Sequence, residues 1–419
     1  MRAAFRNRGF GRLFVGLLAS MIGDSLMVIV LAVWVKELTG SNTAAGMTFF
    51  FLVLPTLFAP VLGLFIDRVR RRPLLIWGNL VSAVAVVPLL LVDGREDVWI
   101  IYTVAVLYGI SFVALPAALN GMLKLMLPEE QLVDANASLS TSKEALRLVG
   151  PLLGAGLFTA LGGGAVAMID AASFVIAAAV IATLPVRESA PQPTAEHWRR
   201  EFSAGIRFVR SDPGLVHPLI ALGIALLVVG FMESAVFSMT DAFDKPASYV
   251  GVIVSVQGVG AIAGGLASSA VVRRLDEAAS IAVSLVILAT GLLLCAAAPW
   301  LPLVFVGVVV LGFSLPVLVV AFNTLLQRRT PQALMGRVST AAEVVLGTPQ
   351  TLSIAVGALL VALIGYREIY VICAAVILAA AAYLGLTLRS VSDVGEDDVD
   401  AGERVSGISG GSDVSRTTG

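Results

Sequence analysis

Charged residues are scarce in this chain. Lys, Arg, Asp and Glu make up 14% of its 419 residues, whereas 58% are apolar; soluble domains carry roughly 25% charged residues. A soluble fold of a few hundred residues buries only about 75% of its surface, so it could not hide this much apolar surface. The composition therefore excludes a soluble enzyme and a disordered chain, and it predicts a protein surrounded by lipid.

Other chemistry-bearing residues are equally sparse. The net charge is −1, which provides no basic field for nucleic acid. Cys295 and Cys373 lie in apolar runs, as packed core residues do, and form no disulfide framework. His197 and His217 are the only histidines, and no Gly-Lys dipeptide occurs that could form a nucleotide-binding loop. We therefore expect no metal, no cofactor and no nucleic-acid partner.

Long apolar runs predict an all-α membrane protein with twelve transmembrane helices. A hydrocarbon core of ~30 Å needs about 20 apolar residues per helix, and Ala278–Gln327 is long enough for two. The predicted spans are Arg12–Val35, Leu38–Ile66, Pro73–Val92, Val98–Leu123, Leu148–Ile169, Ala171–Pro185, Gly214–Ser238, Pro246–Val272, two within Ala278–Gln327, Val344–Tyr366 and Ile369–Leu388.

The distribution of basic residues predicts the orientation of these spans. Segments on the same side as both termini hold 24 of the 28 Lys and Arg residues, and the alternate loops hold four. Basic residues accumulate in cytoplasmic loops. We therefore expect both termini in the cytoplasm, in a multi-pass protein of the inner (plasma) membrane.

The longest inner loop divides the spans into two halves of six. The expected order is a cytoplasmic N-terminus (1–11), an N-terminal half (12–185), a cytoplasmic linker (186–213), a C-terminal half (214–388) and a disordered acidic cytoplasmic tail (389–419). The linker contains a basic amphipathic helix from Trp198 to Arg210, either on the membrane surface or packed on the inner ends of the spans.

The two halves resemble each other at an offset near 200 residues. Leu115-Pro116 matches Leu315-Pro316, and Arg71-Arg72 matches Arg273-Arg274. Duplicated six-helix halves create a central pathway for alternating access.

One loop motif suggests a family. Gly63-Leu64-Phe65-Ile66-Asp67-Arg68-Val69-Arg70-Arg71-Arg72, between spans two and three, resembles the loop motif of the major facilitator superfamily. The resemblance implies that Gly63 permits close helix packing. It also implies that Asp67, with Arg68, Arg71 and Arg72, forms a cytoplasmic charge network that latches the halves together.

Further stretches are similar to the macrolide-efflux and enterobactin-exporter branch of that family. They include Ser20–Ser25, Leu115–Asn136 and Ser203–Leu215. Gly150, Pro151 and Gly154 match part of the antiporter motif of span five. The span-four arginine of many drug–proton antiporters is absent, and Ala105 stands near its place.

Ionisable residues inside spans mark pathways, because each costs on the order of 2.5–3.5 kcal/mol to insert. Asp24 lies roughly 18 Å past Arg12, near mid-membrane, and Glu233 lies near the outer end of span seven. We predict that both take part in proton coupling; the alternatives are a hydrogen-bonded packing contact for Asp24 and an outer-surface carboxylate for Glu233. Asp170 is expected at the membrane interface. Glu144 and Arg147 are expected to pair at the inner end of span five.

The resemblance implies a secondary transporter, not an enzyme. We expect a monomer that exports an amphiphilic small molecule, such as an antibiotic, drug or siderophore, using protons as the coupling ion. An importer or lipid flippase of the same fold is the first alternative. A membrane-embedded enzyme would need acids at one depth, whereas these lie at scattered depths, and a passive channel would need no proton gradient.

Overall fold

The computed structural model describes residues 4–66, 68–186, 188, 198–331 and 334–409. These residues fold into helices joined by short turns, with no β-strand among them, which confirms the all-α prediction. The α-helices are α1 (Arg8–Thr39), α2 (Asn42–Val53), α3 (Ala59–Ile66), α4 (Arg71–Val86), α5 (Val98–Met126), α6 (Glu129–Leu161), α7 (Gly163–Ala182), α8 (Trp198–Ser211), α9 (Pro213–Ala242), α10 (Val250–Leu275), α11 (Glu277–Ala297), α12 (Leu301–Arg329), α13 (Met335–Leu360) and α14 (Tyr366–Ser409).

Eleven helices in the described ranges are long and apolar enough to cross a membrane. The second predicted span, Leu38–Ile66, is not a continuous helix: α2 and α3 are separated by a 3-10 helix, Leu54–Phe58. Pro55 begins that interruption, because proline lacks the N–H donor that an α-helix needs. The broken segment still crosses the bundle, since Ala45 and Ile66 belong to core clusters at opposite ends of the N-terminal half. Together with this broken segment, the eleven long helices give the twelve predicted membrane spans.

The predicted span Leu148–Ile169 is wrong, because it runs through a turn. Gly162 has φ 81°, in the left-handed region that favours glycine, and it separates α6 from α7. Glycine is as weakly polar as its neighbours here, so hydropathy alone does not reveal the turn. As a result α7 begins at Gly163, eight residues before the predicted start at Ala171.

Polar side chains set the ends of several helices. The Asn7 carboxamide accepts hydrogen bonds from the Gly9 and Phe10 amides at 2.9 and 3.3 Å and begins α1. Ser41 caps α2 in the same way, and Asp212 caps α9. Asn, Ser and Asp are favoured at this position because their oxygens satisfy the first free amides of a helix.

The helices form two halves, as expected. Helices α1–α7 pack around two apolar clusters, one of which also includes Phe237, Ala247 and Val250 of the second half, and α9–α14 pack around a third. Corresponding helices share internal prolines: Pro116 in α5 matches Pro316 in α12, and Pro151 in α6 matches Pro349 in α13.

The halves meet on one side of the bundle. We call the end that holds Phe10 and Met122 the terminal face, and the end that holds Lys36 and Asp241 the distal face. At the distal face the Lys36 ammonium lies 2.6 Å from the Asp241 carboxylate of α9. Its other hydrogen bonds go to the Asn42 side chain (2.6 Å) and the Gly40 carbonyl (3.2 Å). All three donors of this 9% exposed lysine are therefore satisfied, and the bond to Asp241 crosses the seam.

The seam continues toward the middle of the bundle through small residues. A Cβ added to Gly46 of α2 would lie 3.0–3.1 Å from Ser234 and Ala358 of the other half. Gly251 of α10 packs equally closely on the Pro151 carbonyl of α6. These contacts bring the two halves together from the distal face inward.

The helix predicted in the linker is present as α8. It packs against α13 and α9, and Gly205 lies against the main chain of Arg337. Of the two placements considered, packing on the inner ends of the spans is therefore the one observed. Residues 187 and 189–197 of the predicted linker lie outside the described residues.

The end of the chain differs from the expected disordered tail. Helix α14 continues through Ser409, past the predicted end of the last span at Leu388, and residues 410–419 lie outside the described residues. Extending an existing helix avoids the cost of nucleation, so a polar sequence can continue a helix that the membrane span has already formed.

We predict that Gly154→Ala destabilises the protein by about 1–3 kcal/mol, the usual cost of overpacking. The new methyl group would lie 3.1 Å from the main-chain carbon atoms of Leu26 in α1. Gly156→Ala is the matched control, because no atom lies within 4 Å of its Cβ position. Thermal unfolding of the purified protein measures the difference, and equal midpoints for both variants would contradict the packing argument.

Candidate functional site

A tyrosine hydroxyl lies between two carboxyl groups inside the N-terminal half. The Tyr108 hydroxyl oxygen of α5 is 2.9 Å from Asp24 Oδ1 of α1 and 2.8 Å from Asp170 Oδ2 of α7. Tyr108 is 2% exposed and Asp170 is fully buried, whereas Asp24 keeps partial exposure. Three helices therefore contribute one polar side chain each to an otherwise apolar region.

The expected interfacial position of Asp170 is wrong. Because α7 begins at Gly163, Asp170 lies seven residues into the helix, or about 10 Å at 1.5 Å per residue. Asp24 lies 15 residues from the end of α1 at Thr39, about 22 Å, and so within the membrane, as predicted. The structure brings these two acids to the same hydroxyl.

A glycine makes this approach possible. A Cβ at Gly23 would collide with Ser173 Oγ and Asp170 Oδ1, so only glycine lets α1 lie this close to α7. The Ser173 hydroxyl donates to the main-chain carbonyl of Asp170 at 2.7 Å. Asp170 Oδ1 itself is buried without a hydrogen-bond partner among the described residues.

Tyr108 was missed in the sequence analysis. It lies three residues after Ala105, nearly one helical turn beyond the place where related antiporters keep an arginine. The sequence did contain a signal for Tyr108: it is a tyrosine within an apolar span, and a buried tyrosine hydroxyl requires a hydrogen-bond partner. The rings of Phe112 and Phe174 pack edge-on against Tyr108 at 5.1 and 5.9 Å between centroids and hold it in place.

The second predicted acid, Glu233, lies within electrostatic range of a basic residue of the other half, with no ion pair between them among the described contacts. Glu233 lies nine residues before the end of α9 at Ala242, about 14 Å below it and deeper than the outer end expected. Arg147 of α6 acts electrostatically on its carboxylate. Arg147 is 18 residues into α6, about 27 Å, because that helix begins at Glu129; the expected inner-end position is therefore wrong.

Arg71 and Arg72 of the loop motif contact the N-terminal half and the first residues of the linker. Arg72 donates to the Ala182 carbonyl at the end of α7 (2.6 Å), and Arg71 donates to the Ile66 and Val69 carbonyls (3.2 and 3.1 Å). Glu188, which the sequence analysis did not identify, accepts the Arg71 and Arg72 amides (2.5 and 3.1 Å) and caps α4.

The remaining members of the motif show little contact. Arg68 is exposed. A Cβ at Gly63 would meet no atom within 4 Å, so the close packing implied for this glycine is not observed in this conformation. Asp67 lies outside the described residues.

The span-five motif packs α6 onto two neighbours. Gly150 and Gly154 lie directly against Ser25 and Leu26 of α1. The Ser25 hydroxyl donates to the Leu146 carbonyl at 2.6 Å. Since the Pro151 carbonyl also meets Gly251 across the seam, the motif joins α1 to the interface between the halves.

Metal ligation has no support in the part of the chain that the structure describes. No group of three or more His, Cys, Asp or Glu residues there could hold a metal ion. Cys295 and Cys373 are free and buried.

Known proteins match the chain over most of its length. The sequence profile of the Major Facilitator Superfamily matches residues 13–353. Macrolide efflux protein A of Streptococcus pyogenes is 26% identical over 238 residues, which cover 56% of this chain and 57% of that protein. The chain thus spans little more than half the length of this relative.

Two further matches are more extensive. The multidrug efflux pump Tap of Mycolicibacterium fortuitum is 26% identical over 343 residues, covering 78% of this chain and 82% of the pump. The inward-facing crystal structure of a bacterial homologue of the iron transporter ferroportin has a TM-score of 0.69 at 16% identity, covering 91% of this chain and 98% of that one. The chain is a multi-pass membrane protein, and it belongs to the Major Facilitator Superfamily, a family of transporters rather than enzymes.

Proposed function

We propose that this transporter exports amphiphilic small molecules across the plasma membrane in exchange for protons. The observation that carries the proposal is Asp24, an acid within the membrane that is partly exposed and hydrogen-bonded to Tyr108. Export is supported by the names of two relatives, a macrolide efflux protein and a multidrug efflux pump.

Proton uptake by Asp24 follows from the cost of burying charge. An ionised carboxylate surrounded by apolar groups is unfavourable unless it is paired, so a conformational change that removes water from Asp24 favours its protonated form. The bond from Tyr108 stabilises the ionised form. A change in either contact therefore changes whether Asp24 holds a proton, which links protonation to conformation.

Alternating access fits the contacts that join the halves at the distal face. With both termini in the cytoplasm, as the distribution of Lys and Arg supports, the distal face is the outer face. The contacts of Lys36 and Gly46 then close the protein to the outside. Export requires a second conformation in which these contacts separate.

The substrate class is inferred from the strongly apolar helices that surround the region between the halves. Ligand sites of this kind use apolar surface with few polar groups that fix orientation. Arg147 and Glu233, on opposite halves, provide one charge of each sign. An amphiphile with an apolar body and a polar or ionised group suits such a surface.

Asp24→Asn should abolish proton-driven transport while leaving substrate exchange intact, because the amide keeps the shape and cannot exchange a proton. The measurement is uptake of a tritium-labelled macrolide into inverted vesicles with an imposed pH gradient, compared with exchange at equal pH. Glu343→Gln, an exposed acid of α13, is the control and should behave as the wild type. Undiminished proton-driven uptake by Asp24→Asn would contradict the role of Asp24.

Glu233→Gln should lower proton-driven uptake in the same vesicles, because it removes a carboxylate within a span that can take up and release a proton. Glu144→Gln is the matched control: Glu144 is exposed one turn before Arg147 on α6. A Glu233→Gln variant whose coupling equals that of the control would make Glu233 a structural residue.

Asp241→Asn should shift the protein toward the conformation that is open to the outside, because it leaves the Lys36 ammonium unpaired in the seam. Labelling of Ser234→Cys, at a fully buried seam position, by an impermeant thiol reagent measures opening. We expect labelling to increase roughly fivefold or more. The charge-swapped pair Lys36→Asp with Asp241→Lys should restore low labelling, and unchanged labelling in Asp241→Asn would rule out this seal.

A further inference from the structure

The hydroxyl of Tyr108 contacts two carboxyl oxygens but carries one hydrogen atom. It can donate to Asp24 or to Asp170, not to both. At 2.8–2.9 Å from the phenol oxygen, the carboxyl group that does not accept must itself be protonated and donate to that oxygen. If both carboxyl groups were ionised, one of them would face the Tyr108 oxygen with no hydrogen atom between the two oxygens. These two oxygens would then repel each other. The geometry therefore requires a proton on one of the two acids.

Burial indicates which acid holds this proton. Asp170 is fully buried, and its Oδ1 has no hydrogen-bond partner among the described residues. An ionised Asp170 would place an unsatisfied negative charge in an apolar region, the most costly arrangement. Asp24 retains partial exposure. Asp170 is therefore the protonated, neutral acid, and Asp24 is the ionised acid.

Polar side chains on the neighbouring helices donate their described hydrogen bonds to groups other than Asp24 and Asp170. On α4, which packs against α7, Asn79 donates to the Leu75 carbonyl at 2.7 Å, and Ser82 bonds to Ser111 of α5 at 2.7 Å. On α6, which packs against α1, Arg147 acts on Glu233. On α7 itself, Ser173 donates to the Asp170 main chain. Asp24 and Asp170 thus share Tyr108 as their hydrogen-bonding side chain.

We propose that Asp24, Tyr108 and Asp170 form a proton-sharing unit in which Asp170 stores a proton and Tyr108 transfers it to Asp24. This inference rests on the proposed proton coupling and names two further residues for it. In the transfer, the proton on Asp170 Oδ2 passes to the Tyr108 oxygen while the hydroxyl proton of Tyr108 passes to Asp24 Oδ1. Tyrosine stays neutral, and the negative charge moves from Asp24 to Asp170.

The consequence is control of the charge on Asp24. When the proton lies on Asp170, Asp24 is ionised; when the proton moves, Asp24 becomes neutral and the charge is fully buried. The second state is the less favourable one, so it persists only if Asp170 takes up another proton or the helices move apart. A single hydroxyl thereby connects α1, α5 and α7 to the protonation state of Asp24.

Infrared difference spectra of the purified protein in nanodiscs at neutral pH test the shared proton without any substrate. Wild type minus Asp170→Asn should show the loss of a protonated carboxyl group, whereas wild type minus Asp24→Asn should show the loss of an ionised one. Tyr108→Phe should shift the carbonyl band of the protonated group, because its hydrogen bond is lost. Glu343→Gln is the control and should leave that band unchanged.

Loss of an ionised carboxylate in Asp170→Asn, or a protonated band that Tyr108→Phe leaves unchanged, would overturn the proposal. The Tyr108→Phe spectrum decides the question even if Asp170→Asn fails to fold.

Vesicle transport of a tritium-labelled macrolide separates this proposal from the proposed function. Tyr108→Phe should reduce proton-driven uptake by about 100-fold, the lower end of what a positioned proton-transfer group contributes, and keep exchange at equal pH. Full proton-driven uptake by Tyr108→Phe would overturn the transfer step and leave proton coupling standing. If uptake by the wild type does not depend on the pH gradient, the proposed proton coupling is refuted. The infrared spectra would still show whether Asp24, Tyr108 and Asp170 share a proton.

Discussion

Lipid does not solvate charge, and this constraint governs the polar side chains of the transporter. Each ionisable group in a span must find a partner or give up its charge. Lys36 satisfies all three of its donors at the distal face, one of them with Asp241 of the other half. Asp24 and Asp170 share the Tyr108 hydroxyl. These partnerships lie where helices or halves meet, which is where movement during transport would change them.

Small residues allow the helices to approach closely enough for these contacts. Gly23 lets α1 approach the Asp170 side chain, Gly150 and Gly154 let α6 lie against α1, and Gly251 brings the second half onto Pro151. Helices in lipid associate through close packing rather than through the hydrophobic effect. The same glycines that stabilise the bundle therefore set the distances within the polar cluster, so packing and proton chemistry are mechanically connected.

The sequence predicted the all-α architecture, the two halves and the family, because apolar run length and the scarcity of charge are strong local signals in membrane proteins. It failed at Asp170 and Arg147, since hydropathy could not locate the Gly162 turn or the start of α6 at Glu129. It could not pair Tyr108 with acids 84 and 62 residues away. Such contacts depend on tertiary packing, which the pattern of one helix does not contain.

The central claim is that movement of substrate and movement of protons are obligatorily linked. The most direct measurement loads proteoliposomes with a macrolide, applies no pH gradient, and follows internal pH with a trapped dye as the macrolide leaves down its own gradient. The account predicts that protons enter and the interior acidifies, and that Asp24→Asn abolishes this acidification. Macrolide efflux from wild-type vesicles at constant internal pH would contradict the account.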